Sequence, residues 1–202
     1  MESFSFYTLS LVLFPCLFYQ STYSQQLYID NLQLDCQKNP SIAKGYLCNS
    51  PMQSCKSYVT FRTQPPYDTA ISIAYLLGAE AISITSKNNF SNVYNIIPSH
   101  KLIMVPISCS CSENIYEHYS HYIVKQSDTE FLIENNTYQG LTTCQALMGQ
   151  NYYDTRDFRE GIELKVPVRC ACPTGNQTVD GVTSLLTYMV TWGNRNASLR
   201  ER

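Results

Sequence analysis

The sequence predicts an α+β fold in which two tandem βααβ units are stapled by disulfides through CxC linkers. Three observations predict it: a duplicated Val-Pro-x-x-Cys-x-Cys signature, an even number of cysteines once an export signal is removed, and a matching pattern of strands and helices before each signature. The copies, VPISCSC and VPVRCAC, place their first cysteines, Cys109 and Cys170, 61 residues apart. Because each copy ends an apolar run, we expect each to mark the end of one small unit.

The composition is that of a globular chain with few charges. The 202 residues are 44% hydrophobic and 15% charged, and the net charge is −2. No basic stripe is present that would neutralise phosphates, so the composition argues against binding to nucleic acid. It argues equally against an acidic disordered tail.

The N-terminus is typical of a secretory signal peptide. Residues 11–19, LVLFPCLFY, are continuously apolar, and Thr22 and Ser24 are small residues where a signal peptidase prefers them. The run is too short to span a bilayer about 30 Å thick, although the segment before it has no Lys or Arg. We therefore expect residues 1–24 to be removed and the mature chain to have no membrane span.

The cysteine count indicates a disulfide framework. Cys16 lies in the signal peptide, and eight cysteines remain: Cys36, Cys48, Cys55, Cys109, Cys111, Cys144, Cys170 and Cys172. An even number in an exported chain is typical of paired disulfides. A zinc site is the alternative, but CxC is tighter than the usual CxxC chelate, and His118 and His121 suit a loop. We expect no metal and no cofactor.

Four sequons for N-glycosylation agree with export. They are Asn89 in NFS, Asn135 in NNT, Asn176 in NQT and Asn196 in NAS. We place Asn89 and Asn135 in or near helices. A glycan at either position would block the surface around it and restrict which face can bind a ligand.

The first unit, residues 57–108, is predicted to run strand, helix, helix, strand. SYVTF predicts its first strand, and YDTAISIAYLLG predicts a helix that Gly78 ends. AEAISITSKNN predicts a weaker second helix, and IIPSHKLIMVPI contains a loop and the closing strand. We expect the Val-Pro of each signature to end its strand, because proline donates no ladder hydrogen bond.

The second unit, residues 121–169, repeats this order. HYIVK (121–125) predicts the first strand, and Ser127 with Glu130 forms a capping box that predicts the start of a helix. The second helix lies in LTTCQALMGQN, with Thr142 or Thr143 as its N-cap, and IELKVPV predicts the closing strand. One face of that helix is expected to hold Leu141, Cys144 and Leu147.

The remaining segments carry most of the cysteines. They are an N-terminal Cys-rich segment (25–56) and two CxC linkers (109–120 and 170–184). A unit below roughly 70 residues has a core that supplies little stability. We therefore expect disulfides between the units to supply what each small core lacks.

Several stretches carry a family resemblance: CNSPMQSCKSYVTFRTQPPYDTAISIAYLLG, CSC, YQGLTTCQALMGQN, VPVRCACPT and LLTYMV. With SDT after the first strand of the second unit, they resemble the ectodomain of plant LysM receptor-like kinases over about residues 25–191. The chain is most similar to the chitin-receptor subgroup whose kinase is thought inactive, a sister of the Nod-factor receptors. The resemblance implies LysM modules at 57–108 and 121–169.

The resemblance also implies the disulfide pairing and a third module. The family's three bridges would be Cys48–Cys111, Cys55–Cys172 and Cys109–Cys170, and the two cysteines left over would form Cys36–Cys144. Residues 185–202 resemble the start of a third LysM module, which we expect to be truncated. No GxGxxG, HRD or DFG element of a kinase is present, so we expect the chain not to be an enzyme.

The resemblance implies a shallow groove between two loops of a module, which binds chitin or related N-acetylglucosamine oligomers. The entry loop joins the first strand to the first helix, and the exit loop joins the second helix to the last strand. The first-unit loops are 63–68 and 90–97. The second-unit entry loop consists of Gln126, Ser127, Asp128, Thr129 and Glu130. The second-unit exit loop consists of Tyr152, Tyr153, Asp154, Thr155, Arg156 and Asp157. Ser127 and Asp128 also suit helix capping.

Two functions remain open at this point. The first is a secreted or cell-surface carbohydrate-binding ectodomain that recognises chitin oligosaccharide in plant immune or symbiotic signalling. The second is a co-receptor or decoy that pairs with another LysM receptor-like kinase and binds little sugar. An enzymatic role is weaker, because glycosidase chemistry needs two carboxylates at a fixed separation and no such pair stands out.

Overall fold

The computed structural model describes residues 28–29, 36, 45–151 and 158–189. The strands are β1 (Tyr28–Ile29), β2 (Gly45–Leu47), β3 (Ser54–Arg62), β4 (Leu102–Ser112), β5 (Ile115–Ile123), β6 (Glu163–Arg169) and β7 (Leu186–Thr187). The helices are α1 (Ala70–Leu77), α2 (Ala81–Asn88), α3 (Glu130–Leu132), α4 (Cys144–Asn151) and α5 (Gly175–Val179), and a π-helical turn (Ile133–Thr137) follows α3. The predicted signal peptide, the segment 190–202 and its sequon Asn196 lie outside the described residues.

The two units share one sheet. Its strand order is β1-β2-β5-β4-β3-β7, and β6 pairs with β5. Within the first unit β3 pairs with β4, and within the second unit β5 pairs with β6, both antiparallel. The first-unit hairpin thus pairs with β5 of the second unit along β4 and with the short strand β7 along β3.

The segment expected to be the first CxC linker, 109–120, is strand along most of its length. β4 runs to Ser112 and β5 begins at Ile115, three residues later. Glu113 and Asn114 turn between them with φ angles of 48° and 68°, the left-handed pair that a tight hairpin turn requires. The first strand of the second unit is therefore longer than the predicted 121–125, and it joins the two hairpins directly.

The closing strand of the first unit does not end at its proline, contrary to our prediction. β4 continues six residues beyond Pro106. Tyr58, which lies opposite Pro106, donates its N–H to the Leu185 carbonyl at 2.9 Å on the other side of β3. Tyr58 and Pro106 therefore form a non-hydrogen-bonded pair of the hairpin. The missing N–H of Pro106 thus removes no hydrogen bond from the ladder.

The second unit tolerates its proline for the same reason. β6 continues through Pro167 to Arg169. The N–H groups on either side, of Lys165 and Arg169, point away from β5 to Asn151 Oδ1 (2.9 Å) and Leu141 O (2.7 Å). Because alternate residues of a strand direct their N–H groups to the same side, Pro167 lies where β5 needs no donor.

Helix α1 ends at Gly78, as the sequence predicts, and it begins at Ala70, inside the predicted stretch. Thr69 is its N-cap, and its side chain forms a reciprocal capping box with Ser72 at 3.1 Å in both directions. Gly78 ends the helix with φ 62°. A Cβ at this position would lie 2.8 Å from the Tyr119 carbonyl oxygen. Position 78 thus requires glycine for two reasons: its left-handed backbone conformation and the close approach of β5.

The first helix of the second unit starts later than predicted. Ser127 has φ 69° and lies in a turn, so it is not the N-cap of a capping box. Thr129 is the N-cap, and its hydroxyl accepts from the Leu132 N–H at 3.2 Å. In the second helix, α4, Thr143 is the cap, since its hydroxyl accepts from the Ala146 N–H at 3.0 Å.

Four disulfides join distant parts of the chain. They are Cys48–Cys111, Cys55–Cys172, Cys109–Cys170 and Cys36–Cys144, the same four pairs that the resemblance implies. They close loops of 61–117 residues, and closing a loop of this size stabilises a fold by about 4 kcal/mol. Buried side chains of both units, including Phe61 and Val166, form one hydrophobic cluster around the bridges.

An asparagine clamp fastens the second helix of the first unit to its closing strand. Asn88, the last residue of α2, accepts the Met104 N–H at 2.9 Å. Its amide nitrogen donates to the carbonyls of Met104 (2.7 Å) and Ile84 (2.8 Å). One side chain thus pairs with both backbone groups of a strand residue and with its own helix.

The second unit repeats this clamp. Asn151, the last residue of α4, accepts the Lys165 N–H at 2.9 Å and donates to the carbonyls of Lys165 (3.0 Å) and Leu147 (2.7 Å). Asn88 and Asn151 are therefore equivalent positions. In the sequence, Asn89 and Tyr152 follow these two positions.

We expect Asn88→Ala to lower the free energy of unfolding by about 1–3 kcal/mol, because both backbone groups of Met104 lose their partner. Thermal unfolding followed by circular dichroism measures this change. Ser86→Ala, at an exposed position of the same helix, is the matched control. Equal melting temperatures for the two variants would contradict a stabilising clamp.

Candidate functional site

The two loops of the first unit lie against each other. The Ile97 N–H of the exit loop donates to the Asp68 carbonyl of the entry loop at 2.7 Å. Next to this contact, the Thr63 hydroxyl donates to the Pro98 carbonyl at 2.6 Å. The predicted loops of this unit thus do come together in space.

A cavity of about 220 Å³ opens beside the first-unit exit loop, and we call it the exit-loop cavity. Phe90 and Lys101 line it, with the Lys101 ammonium 4.9 Å from the centre of the Phe90 ring. Asn95 and Ile96 also line it, and Ile96 is 77% exposed. Aromatic, apolar and cationic groups therefore meet in one open depression.

The second-unit entry loop is ordered by Asp128. Its carboxylate accepts from the Tyr122 hydroxyl at 2.8 Å and from the Lys125 N–H at 2.7 Å. Burial and the Asp128 contact raise the pKa of Tyr122 above its usual range, so the phenol stays a donor. Asp128 is thus half-buried and engaged within the protein, while Gln126 and Ser127 beside it are exposed.

The other residues of this loop differ in what they do. Thr129 caps α3 and is exposed, and Glu130, the first residue of that helix, is half-buried. The whole second-unit exit loop, with Tyr152, Tyr153, Asp154, Thr155 and Arg156, lies outside the described residues. Of the two loops predicted to form the second-unit groove, the structure therefore describes the entry loop alone.

The first-unit entry loop packs against the second unit. The Lys125 ammonium donates to the Tyr67 hydroxyl at 3.2 Å and lies 5.2 Å from the centre of that ring. The Gln64 amide donates to the Asn136 carbonyl at 2.6 Å. Contacts between the units therefore occupy one side of this loop, which the resemblance implies to be part of a sugar-binding groove.

Gln139 is an inter-unit contact that sequence analysis missed. Its side-chain oxygen accepts the Arg62 N–H at 2.9 Å, and its amide nitrogen donates to the Arg62 carbonyl at 2.6 Å. A side-chain amide thus extends the ladder at the end of β3. No local sequence signal marks such a residue, because its partner lies 77 positions away.

His118 also joins the units, although the sequence suggested a loop residue. It lies in β5, with Nδ1 2.8 Å from the Ser108 carbonyl and Nε2 3.0 Å from the Leu77 carbonyl at the end of α1. His121, the other candidate, is in β5 too, 3.4 Å from Glu163. Both histidines therefore belong to the sheet.

A larger groove of about 880 Å³ lies between α2 and the hairpin of the first unit, and sequence analysis did not find it. Lys87 and Tyr58 line it, with the Lys87 ammonium 4.7 Å from the centre of the ring. His118 and Pro106 form part of its wall. It is wide and open, and it contains neither of the predicted loops.

The described residues bring metal-ligating residue types together twice. One group is Cys55, Cys109 and Cys172, and the other is Cys36, Glu134 and Cys144. All five sulfurs belong to disulfides. Metals bind thiolates, so these groups do not offer the ligands that zinc prefers.

Glu134 is a buried carboxylate below the second-unit entry loop. It has no exposed surface, and it accepts the Cys144 N–H at 3.2 Å. Burial raises the pKa of Glu134 to about 7, although the Cys144 N–H and the charge of Arg169 oppose the rise. This part of the second unit therefore changes its charge near neutral pH.

We expect the stability of the protein to depend on pH through Glu134. Its pKa is higher in the folded chain than the ordinary 4.5, so its contribution to stability is present below about pH 4.5 and is lost as the pH rises through about 7. Glu134→Gln removes that dependence. Urea unfolding at pH 4.5, 6 and 8 measures the change, and Glu160→Gln, at an exposed position, is the control. If the free energy of unfolding of Glu134→Gln depends on pH as steeply as that of the wild type, the prediction is contradicted.

The three sequons within the described residues are exposed. Asn89 follows α2, Asn135 lies in the π-helical turn, and Asn176 lies in α5. Of these, Asn89 lines the exit-loop cavity. Among the helices described, none combines the length and apolar character needed to cross a bilayer.

Two family models match the two units. The model described as the NFP/LYK LysM1 domain matches residues 54–112, and the model described as the LYK3/4/5 LysM2 domain matches residues 116–169. These ranges follow β3–β4 and β5–β6. The first strand of the second match therefore includes the residues that we had expected to be a linker.

Several relatives match by sequence. Protein LYK5 of Arabidopsis thaliana is 42% identical over 211 residues, which cover 100% of this chain and 32% of that protein. Chitin elicitor receptor kinase 1 of Physcomitrium patens is 34% identical over 107 residues, which cover 52% of this chain and 16% of that protein. The chain spans about a third or less of the length of these relatives.

Several solved structures match the fold. The LYK3 ectodomain has a TM-score of 0.56 and 24% identity, and the match covers 72% of this chain and 71% of that chain. The ectodomain of a receptor like kinase has a TM-score of 0.54 and 20% identity, with 64% and 68% covered. At these identities the likeness establishes the fold and nothing finer.

Proposed function

Because the chain belongs to the LYK family of LysM proteins, we propose that it is an extracellular carbohydrate-binding ectodomain that recognises chitin or related N-acetylglucosamine oligomers. We assign the binding to the groove of the second unit, between its entry loop and its exit loop. In this proposal the protein is a binding module, without catalytic residues, in plant immune or symbiotic signalling.

The observation that carries the proposal is the order of the second-unit entry loop. Asp128 ties the loop to Tyr122 and to the Lys125 backbone, so Gln126 and Ser127 are presented to solvent without a large loss of conformational entropy on binding. The exit loop offers two tyrosines and two aspartates in its sequence. Rings that stack on sugars and polar groups that bind acetamides are thus expected on the facing wall.

The first unit is less suited to this role. Its entry loop uses Gln64 and Tyr67 for contacts with the second unit, so those side chains are not free to turn towards a ligand. The second-unit entry loop keeps its outer residues exposed. This difference supports assignment of the main site to the second unit.

The four disulfides support an extracellular location. Such bridges form and persist in oxidising compartments, and all eight cysteines after residue 24 are paired. We therefore place the chain outside the cell, either secreted or at the outer face of the plasma membrane.

We expect calorimetry of the mature glycoprotein with chitin hexamer to show binding, and Tyr153→Ala combined with Asp154→Ala to weaken it about tenfold or more, a change of about 1.4 kcal/mol. Tyr75→Ala, at a 71% exposed tyrosine of α1, is the matched control and keeps the affinity of the wild type. An unchanged affinity in the double variant would place the site elsewhere. The absence of heat and of capture on chitin beads would overturn the proposal.

Pairing with another LysM receptor is the second candidate function. Large apolar side chains are exposed on the helices of the first unit, with Tyr75 at 71% and Ile82 at 69%, and such side chains favour protein contacts. Analytical ultracentrifugation with a LysM receptor ectodomain, with and without chitin hexamer, distinguishes the two candidate functions. Complex formation without any chitin binding would favour this candidate.

A further inference from the structure

We propose that an N-glycan attached to Asn89 occupies the exit-loop cavity of the first unit and closes it to free chitin oligomers. The inference rests on the proposed function, because it takes a LysM loop groove to be a site for N-acetylglucosamine. It adds an occupant that the chain itself carries, and it assigns different roles to the two units.

The position of Asn89 is the first reason. It ends α2 with φ 56°, is exposed, and lines the exit-loop cavity. No described residue forms a hydrogen bond with its side chain. The preceding Asn88, in contrast, uses its whole amide in the clamp to β4. Asn89 can therefore carry a sugar without loss of any contact in the described structure.

The chemistry of the modification is the second reason. In the secretory pathway, Nδ2 of a sequon asparagine forms a bond to C1 of the first sugar of a lipid-linked oligosaccharide. The bond between C1 and the lipid diphosphate breaks, and the amide proton leaves with that group. The first two sugars of every such glycan are β-1,4-linked N-acetylglucosamines, which is the disaccharide of chitin. Asn89-Phe90-Ser91 is a complete sequon.

The lining of the cavity fits this sugar. The N–H groups of Asn95 and Ile96 have no acceptor among the described residues, and both residues line the cavity. They can donate to the acetamide carbonyl of an N-acetylglucosamine. Phe90 and the Lys101 ammonium above its ring add an apolar group and a cationic donor to the same lining.

The attachment gives the tethered sugar a large advantage. A ligand on a short linker has an effective concentration in the millimolar range. A free oligomer with the same intrinsic affinity has to reach that concentration before it displaces the tethered one. At micromolar chitin the first-unit cavity therefore stays occupied by its own glycan.

The second unit has no sequon at the corresponding position, and its own sequon, Asn135, lies in the π-helical turn. The two clamps make Asn88 equivalent to Asn151, so the counterpart of Asn89 is Tyr152, which cannot be N-glycosylated. The residue at the start of the exit loop is thus a sequon asparagine in the first unit and a tyrosine in the second. We infer that free chitin is directed to the second unit.

The test compares four variants of the glycoprotein, secreted from eukaryotic cells, by hydrogen–deuterium exchange of the peptide that spans 90–97. Asn89→Gln and Ser91→Ala both destroy the sequon, and Ser91→Thr keeps it. Asn135→Gln removes a different glycan, in the π-helical turn. We expect exchange to become about tenfold faster in the first two variants and to stay unchanged in the other two.

Two further readouts complete the test. Peptide mass spectrometry is expected to find a glycan on Asn89 in the wild type. Calorimetry with chitin tetramer is expected to show one binding site per chain in the wild type and two in Asn89→Gln and Ser91→Ala. An unoccupied Asn89, or exchange that does not change when the sequon is lost, would overturn the inference. Occupancy and exchange need no added chitin, so a failure of the second unit to bind chitin contradicts the proposed function separately.

Discussion

Two adjacent disulfides between the units, Cys109–Cys170 and Cys55–Cys172, are the constraint on which the rest of the structure depends. Cys55 and Cys109 lie opposite each other in the β3–β4 ladder, and their partners are two residues apart just after β6. The bridges thus join the end of one hairpin to the end of the other, inside the shared core. Neither unit has to be stable alone, because each small core is continuous with its neighbour.

This arrangement decides what the loops can do. With β4 turning directly into β5, the entry loop of the first unit is brought against the second unit, where Lys125 contacts Tyr67. The second-unit entry loop, held by Asp128, keeps its outer side in solvent. Two copies of one sequence pattern thus have different surroundings, since packing between the units uses one loop and leaves the outer side of the other exposed.

The two units also differ at the start of their exit loops. Both units fasten their last helix with the same asparagine clamp, at Asn88 and Asn151. The next residue is a sequon asparagine in one unit and a tyrosine in the other. If the first unit carries its own sugar, a repeat that resembles a pair of binding sites becomes one open site and one occupied site. The chain then presents a single groove to free oligomers.

The sequence by itself determined the βααβ repeat, the end of α1 at Gly78 and the need for disulfides, because periodicity, caps and cysteine counts are local signals. It did not predict that the strands pass through Pro106 and Pro167, that Thr129 caps α3 in place of Ser127, or that Gln139 and His118 join the units. The prolines depend on which side of a strand faces a neighbour, and Gln139 and His118 depend on partners 10–77 residues away. The Thr129 cap is a local contact, but the turn before it is held by the contact of Asp128 with Tyr122. Only the tertiary structure decides them, since a proline is tolerated, or a side chain engaged, according to what packs beside it.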